Sequence, residues 1–163
     1  MTFEVEVEIR NEELLAAFRR LEATARDMKP AMERIGRYLE ASTRLRFRDQ
    51  TGPDGERWPP SRRAIEQGGR TLVDTGTLRS SITYDAGHDR VEIGTNVPYA
   101  PVHQFGATIT PKRARYLKFR TPDGGFVQTT RVTVPARPFP GIDDRDERRI
   151  LEILEDAIAE AAR

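Results

Sequence analysis

Hydrophobic and polar residues alternate strictly in the opening stretch of the chain, TFEVEVEI. Phe3, Val5, Val7 and Ile9 would share one face of a strand, and the threonine and glutamates between them would share the other. The alternation predicts a β-strand with one face on a core. Asn11 follows as a helix N-cap residue, because its side chain can accept a bond from a free backbone amide of the first turn.

Apolar residues then recur at alternating spacings of four and three, which is typical of an amphipathic helix with an apolar seam. Pro30 interrupts this seam, because proline lacks a backbone donor and disfavours helical geometry at the preceding Lys29. We therefore predict two helices with a break near Lys29 and a seam that packs on the core. The seam consists of Leu14, Phe18, Leu21, Ala25, Met28, Met32, Ile35 and Leu39.

The stretch from about residue 50 to 70 is rich in proline and glycine, which predicts a long loop. It contains Trp58, the only tryptophan of the chain. A side chain with this much apolar surface either fastens the loop to its own domain or anchors a partner subunit. We favour the intramolecular contact.

Turn residues divide the second half of the chain into strands. Ser80 to Tyr84 and Val91 to Thr95 flank DAGHD, which predicts one hairpin, and RYLKFR and FVQTTRVTV flank TPDGG, which predicts a second. The second hairpin, at about residues 110–134, is expected to project from the domain. The last twenty residues predict an amphipathic helix with Asp144 and Glu147 as its capping box.

These elements predict one α+β domain over residues 1–163. It would contain an antiparallel β-sheet, N-terminal helices with a break near Pro30, and a C-terminal amphipathic helix.

Composition narrows the classes of function. The 163 residues include 27 Lys or Arg and 26 Asp or Glu, so a net charge of +1 predicts no bulk attraction to nucleic acid or membrane. The absence of cysteine excludes disulfides, thiolate metal sites and a cysteine nucleophile. No stretch has the length and apolarity of a membrane span or of a signal peptide, so we expect a protein of the cytoplasm without membrane contact.

Asp74 is the most serious candidate for catalysis. The segment LVDTG resembles the active-site triplet of retroviral-type aspartic proteases, in which two carboxylates from two subunits activate water. The alternative is a turn in which Asp74 and Thr75 bond neighbouring backbone amides and Gly76 adopts a positive φ. We favour the turn, because such short motifs arise often by chance.

Other chemistry has little support in the sequence. His88 and His103 are the only histidines, and neither has a second ligand at the spacing of a metal site. No serine elbow or phosphate-binding glycine loop occurs, so we expect no enzyme, metal or cofactor. Arg62, Arg63 and Arg70 cluster in the long loop, which leaves a nucleic-acid-binding module as an alternative and predicts only incidental contact with DNA.

The segment YAPVHQFG, residues 99–106, predicts a short helix between strands. Proline suits its first turn, and Gly106 can end it in a conformation with positive φ. Tyr99, Val102 and Phe105 would pack on the sheet, with His103 beside them to form hydrogen bonds.

Four motifs in this order resemble the virion morphogenesis or tail completion proteins of tailed bacteriophages. They are FRDQTGPDGERWPPS with Trp58, LVDTGTLRSSI with Asp74 and Gly76, VEIGTNVPYAPVHQFG with Tyr99, His103 and Gly106, and VPARPFPGI with Arg137 and Phe139. The resemblance covers about residues 47–141 and implies a structural protein of the phage neck or tail terminus that completes tails and joins them to heads.

The resemblance also implies partners and a location. The protein would form a homo-oligomeric ring, for which six subunits is one arrangement, and would contact the tail tube or tail terminator and the connector proteins of the head and neck. It would belong to the virion after assembly in the host cytoplasm. Arg137 could pair with a carboxylate of the next subunit or be an ordinary surface arginine.

Overall fold

A computed structural model describes residues 12–121 and 123–162. Helix α1 spans Glu12–Arg26, and α2 spans Lys29–Asp49 with proline in its first turn. The predicted break near Lys29 is confirmed, and the backbone amide of Lys29 donates to the Asp27 carboxylate at 3.0 Å. The strand predicted for residues 3–9 and its following Asn11 cap lie outside the described residues.

Helix α6, Asp144–Ala162, packs against α1 and α2. Ala31, Ile35 and Leu39 of α2 are buried against Ile153 of α6 and form one apolar cluster of the core. From Met28 to Leu39 the seam therefore packs on the core, as its spacing predicts, whereas Ala25 is exposed. The side chains of Leu14 and Phe18, at the start of the seam, lie outside the described set.

The long loop predicted for residues 50–70 is wrong in part, because much of it has regular structure. Thr51 and Arg57 form an antiparallel bridge around a tight turn. Helix α3, Arg62–Gln67, follows, and the Ser61 hydroxyl caps it by accepting the amide of Ala64 at 3.2 Å. Sequence reading missed α3 because its capping serine follows two prolines that otherwise indicate irregular chain.

The remaining elements are short. Within residues 12–121 and 123–162, six strands pair as three antiparallel ribbons of two strands each, β1 with β2, β3 with β6, and β4 with β5. The elements in order are α4 Thr77–Ser80, β1 Thr83–Ala86, β2 Val91–Gly94, α5 Ala100–Phe105, β3 Ala107–Ile109, β4 Leu117–Arg120, β5 Phe126–Thr129 and β6 Val132–Val134.

The α+β class and the antiparallel pairing are confirmed, while the strands form separate ribbons instead of one sheet. The β1–β2 ribbon packs against helix α2. The second predicted hairpin is shorter than its sequence pattern: β4 and β5 form it, whereas residues 132–134 turn back to pair with β3. We call residues 107–134, with these two ribbons, the arm.

Candidate functional site

Three aromatic side chains bring the sequence motifs together in the second apolar cluster of the core. Phe47 of α2 lies 5.3 Å, between ring centroids, from both Trp58 and Phe139. The indole Nε1 of Trp58 donates to the carbonyl oxygen of Pro138 at 2.8 Å. Trp58 therefore fastens the 51–60 segment to its own subunit, which is the intramolecular contact favoured from the sequence.

Arg137 is buried, with only 5% of its surface exposed. Its guanidinium donates to the carbonyl oxygens of Pro59 at 2.6 Å and Pro60 at 3.5 Å. Burial lowers the pKa of Arg137 from its ordinary value. The expectation of an ordinary surface arginine is wrong, because the side chain is buried and already bonds carbonyl groups of a distant segment of its own chain.

Hydrogen bonds from two residues of helix α5, His103 and Gln104, join the helix to residues 137–140. The Gln104 amide donates to Pro140 O at 3.3 Å and accepts the amide of Phe139 at 3.0 Å, while the carbonyl of His103 accepts the amide of Arg137 at 2.6 Å. Ala100 is the buried apolar residue of α5.

The packing predicted for the aromatic residues of α5 is wrong. Phe105 is 77% exposed and Tyr99 is also exposed. The buried face of the helix is the one shared by Ala100 and Gln104, which are four residues apart, and Phe105 lies a further 100° around the axis.

Gly106 ends α5 with φ of +71°. A Cβ atom at this position would lie 2.9 Å from the backbone nitrogen of Ala136 and 3.0 Å from the carbonyl oxygen of Val134. The left-handed conformation and the close approach of β6 therefore both require glycine here.

A cleft of about 320 Å³ is lined in part by Leu78 of the second apolar cluster and by Leu72, which packs against that cluster. It brings together Asp74, Gly76, Tyr99, His103 and Arg137, which come from two distant motifs and the segment after the arm. Of the other residues singled out in the sequence, Trp58 and Phe139 belong to the core, while Gly106 and Phe105 end α5.

Asp74 takes only part of its predicted role. Gly76 has φ of +81° and precedes α4, and the Thr75 hydroxyl accepts the amide of Thr77 at 3.3 Å, as the turn prediction requires. Asp74 itself is exposed and pairs with Arg63 of α3 at 3.7 Å. The prediction that its carboxylate bonds a backbone amide is wrong, since the described contact is this ion pair with an arginine of the adjacent helix.

The imidazole of His103 is half-buried beside the Tyr99 ring, with 5.9 Å between centroids. Its buried Nδ1 has no hydrogen-bond partner among the described residues. Burial lowers the pKa of His103, and the nearby Arg137 guanidinium adds to the effect.

We expect His103 to titrate below the ordinary histidine value of about 6.5. Because the pKa of His103 is lower in the folded protein than in the unfolded chain, the contribution of neutral His103 to the free energy of unfolding is complete above about pH 6.5. This contribution decreases as the pH falls from about 6.5 towards the pKa of His103 in the folded protein. Proton NMR of a His88→Asn variant, which leaves one histidine, would measure the midpoint. A midpoint at or above about 6.5 would contradict this account.

A buried ion pair between α2 and α6 was missed by the sequence analysis. The guanidinium of Arg46 lies 2.5 Å from the carboxylate of Asp146, and the exposed fractions of the two side chains are 4% and 0%. Ser42 donates to the same carboxylate at 2.7 Å, and Arg46 also donates to the carbonyl oxygens of Phe139 at 3.1 Å and Gly141 at 2.8 Å. The pair fastens the last motif to both long helices.

The capping box of α6 is one residue earlier than predicted. The Asp143 side chain accepts the amide of Asp146 at 2.8 Å, and the Asp146 side chain accepts the amide of Asp143 at 3.2 Å. Burial works against ionisation of Asp143, but the bonds from the Asp146 amide and Arg46 outweigh it and lower its pKa. Asp144 and Glu147 are exposed and are not the box.

The arm carries three exposed large apolar side chains. Phe126 is 66% exposed, Ile109 and Phe119 are also exposed, and exposed Phe105 lies two residues before the arm in the sequence. The arm packs mainly on itself, through the β3–β6 and β4–β5 ribbons. Exposed apolar side chains that lie together on one element are typical of an interaction surface.

Other site types find no counterpart in residues 12–121 and 123–162. No group of three or more His, Asp or Glu side chains there could hold a metal ion. Within the same residues, no helix combines the length and apolarity needed to cross a membrane.

Comparison with known proteins places these features in one family. The phage virion morphogenesis family matches residues 9–159. Mu-like prophage FluMu G protein 2 of Haemophilus influenzae is 32% identical over 153 residues, covering 93% of this chain and 94% of that protein. Putative capsid assembly protein G of Escherichia phage Mu is 32% identical over 136 residues, covering 77% of this chain and 76% of that protein.

No solved structure matches the chain. The resemblance inferred from the four motifs is confirmed by the family match over most of the sequence. The chain belongs to the phage virion morphogenesis family, whose members act in phage assembly and are generally structural.

Proposed function

We propose that this protein is a structural component of the phage neck or tail terminus, which completes the tail and joins it to the head. In this role it forms a homo-oligomeric ring and contacts the tail tube or terminator on one side and the connector of the head and neck on the other. The family membership supports the role in virion assembly.

The proposal rests on the contrast between a scaffold whose segments are joined by buried contacts and an arm whose contacts lie mainly within its own ribbons. Trp58, Arg137 and the Arg46–Asp146 pair join distant segments within the core. The arm has exposed phenylalanines and extensive contacts only within its own ribbons. A ring subunit needs a rigid body and a projecting element that lies on its neighbour.

We further propose that the protein has no enzymatic activity. Asp74 is the one carboxylate among the described residues that line the 320 Å³ cleft, and it is exposed and pairs with Arg63. A retroviral-type protease would need the Asp74 carboxylates of two subunits to meet and share a proton. A carboxylate that is instead paired with an arginine of its own subunit gives the protease alternative little support.

Asp74→Asn is expected to leave peptide substrates uncleaved, as the wild type does, and to change stability by no more than about 1 kcal/mol, because exposed ion pairs contribute little. Arg63→Gln, which removes the other partner, is the matched control. Peptidase activity in the wild type that is sensitive to pepstatin and lost in Asp74→Asn would support the protease alternative instead.

The proposed role is tested by removing the gene from an inducible phage and examining the lysate by electron microscopy. Filled heads and separate tails that lack a normal terminus are expected, with joining restored by the gene in trans. Labelled protein should be found at the neck or upper tail.

The same experiment separates this role from a role in the head. The relative from phage Mu has a name that describes putative capsid assembly. If this protein acted in the same way, the mutant lysate would contain malformed or missing heads beside complete tails. That result would overturn the proposed placement at the tail.

A further inference from the structure

One face of the β4–β5 ribbon is basic and aromatic. In its register Arg120 pairs with Phe126 and Lys118 with Gln128, and residues opposite each other on paired strands share a face. The face formed by Lys118, Arg120 and Phe126 is exposed, and we call it the basic arm face. Its cations form no ion pair with the described residues.

The charge of the whole arm is unbalanced. Residues 107–134 contain six Lys or Arg and a single acidic residue, Asp123, in a chain whose two charge types nearly cancel. Asp123 lies 3.9 Å from Arg62 of α3 and is thus already paired outside the arm. The cations of the arm are Lys112, Arg113, Arg115, Lys118, Arg120 and Arg131.

An exposed stripe of α6 has the opposite character. Its residues recur at spacings of three and four and share one side of the helix. The two apolar members, Leu151 and Ile158, are 58% and 53% exposed, and one cation, Arg148, borders the stripe. We call this surface the acidic stripe, and it consists of Asp144, Glu147, Leu151, Glu155 and Ile158.

The carboxylates of the acidic stripe form no ion pair with any of the described residues. The carboxylates of α6 that do form pairs lie elsewhere on the helix, where Asp156 and Glu160 contact Arg34 and Glu152 contacts Arg149. Helix α6 packs on α1 and α2 rather than on the arm. Among residues 12–121 and 123–162, neither of the two complementary surfaces therefore has an ion-pair partner.

We propose that the basic arm face of one subunit docks on the acidic stripe of the next copy of this chain. Phe126 would cover Leu151 and Ile158, while Lys118 and Arg120 would pair with the stripe carboxylates. The contact joins two different surfaces, so it is heterologous, and repetition of it closes a ring or forms a filament. This inference rests on the proposed ring and names the surfaces that form it.

Charge complementarity favours a second copy over nucleic acid as the occupant. DNA would satisfy the cations of the arm, but it would leave the exposed apolar residues and carboxylates of α6 without a partner. A second copy satisfies both surfaces at once. The stripe offers an apolar centre with charges around it, which is the usual arrangement of a protein interface.

A charge exchange tests the contact with purified full-length protein. An arm-reversed variant, K118E/R120E, and a stripe-reversed variant, E147K/E155K, should each lose self-association by about tenfold or more, because like charges would then face each other. An equimolar mixture should associate again, since each reversed surface finds its complement on the other variant. Light scattering from about 1 µM to about 1 mM measures both results.

The control for the stripe-reversed variant is E56K/D89K, which makes the same charge change at two exposed acidic residues outside α6. It should associate as the wild type does, and circular dichroism should show that all variants are folded. A mixture that remains monomeric, or a wild type that is monomeric at every concentration, would overturn the proposal. Loss of DNA binding in the arm-reversed variant without any change in association would also overturn it.

Crosslinking locates the contact directly, because the chain contains no cysteine of its own. Phe126→Cys and Ile158→Cys introduce one thiol on each surface, and oxidation of the mixture should yield a dimer of one variant with the other. A double variant should yield a ladder of oligomers. Phe105→Cys replaces Phe126→Cys as the control and should crosslink poorly, since it lies outside the basic arm face.

Failure of this contact and failure of the proposed function give different results. If the protein lies at the tail end but the exchanged mixture does not associate, the arm contact is wrong and the placement stands. If the exchanged mixture forms rings but the gene deletion leaves joined, complete virions, the contact stands and the function is wrong.

Discussion

Replacing Asp146 by alanine is expected to lower the free energy of unfolding by about 3–5 kcal/mol, measured by urea denaturation at neutral pH. The substitution leaves the Arg46 guanidinium buried without its carboxylate partner. It also removes the acceptor for Ser42 and one half of the α6 capping box. Since small proteins are stable by only about 5–15 kcal/mol, this loss is a large fraction of the total.

Asp144→Ala is the matched control, because Asp144 is an exposed aspartate of the same first turn. It should cost no more than about 1 kcal/mol, the size of an interaction with the helix dipole. A double variant, R46M/D146L, replaces both buried charges by apolar groups and should recover much of the loss. Equal costs for Asp146→Ala and Asp144→Ala would show that the buried pair does not stabilise the fold.

The same ion pair shows where sequence reasoning stopped. Arg46 lies seven residues after Leu39, at a position that continues the apolar seam of α2. A cation in a core position indicates either the end of the seam or a buried partner, and the pattern alone does not distinguish them. Asp146 is a hundred residues away, so only the tertiary structure identifies it.

Features set by local chemistry were predicted well. Proline restricts its own residue and the one before it, so the break between α1 and α2 could be placed near Lys29. Gly76 and Gly106 both have positive φ, as their positions in a turn and at a helix end require. The order of the four motifs identified the family, and the family match extends over residues 9–159.

Features set by packing across the chain were predicted poorly. The sequence indicates that Phe105 and Tyr99 belong to one short helix, but the side of α5 that is buried depends on where residues 137–140 run. Arg137 is also a residue type that is usually exposed, and its burial follows from two carbonyl groups almost eighty residues away. Neither arrangement leaves a periodic signal.

Trp58→Ala is expected to lower the free energy of unfolding by about 3–5 kcal/mol, measured by urea denaturation followed by circular dichroism. The indole lies in the apolar cluster against the Phe47 ring, and the alanine would leave a cavity there. It would also leave the carbonyl of Pro138 without its donor. Two effects thus act together, one from lost packing and one from a lost hydrogen bond.

Two further variants separate these effects. Trp58→Phe keeps an aromatic ring but loses the donor, so about 1–3 kcal/mol of the loss should remain. Phe105→Ala removes an exposed aromatic residue and should change stability by no more than about 0.5 kcal/mol. The emission of Trp58, the only tryptophan, should shift to the red on unfolding, because unfolding exposes the indole to water. A native spectrum already typical of solvated indole, together with a small cost for Trp58→Ala, would show that the 51–60 segment is not fastened to the core and that the scaffold proposed to support the arm lacks this crosslink.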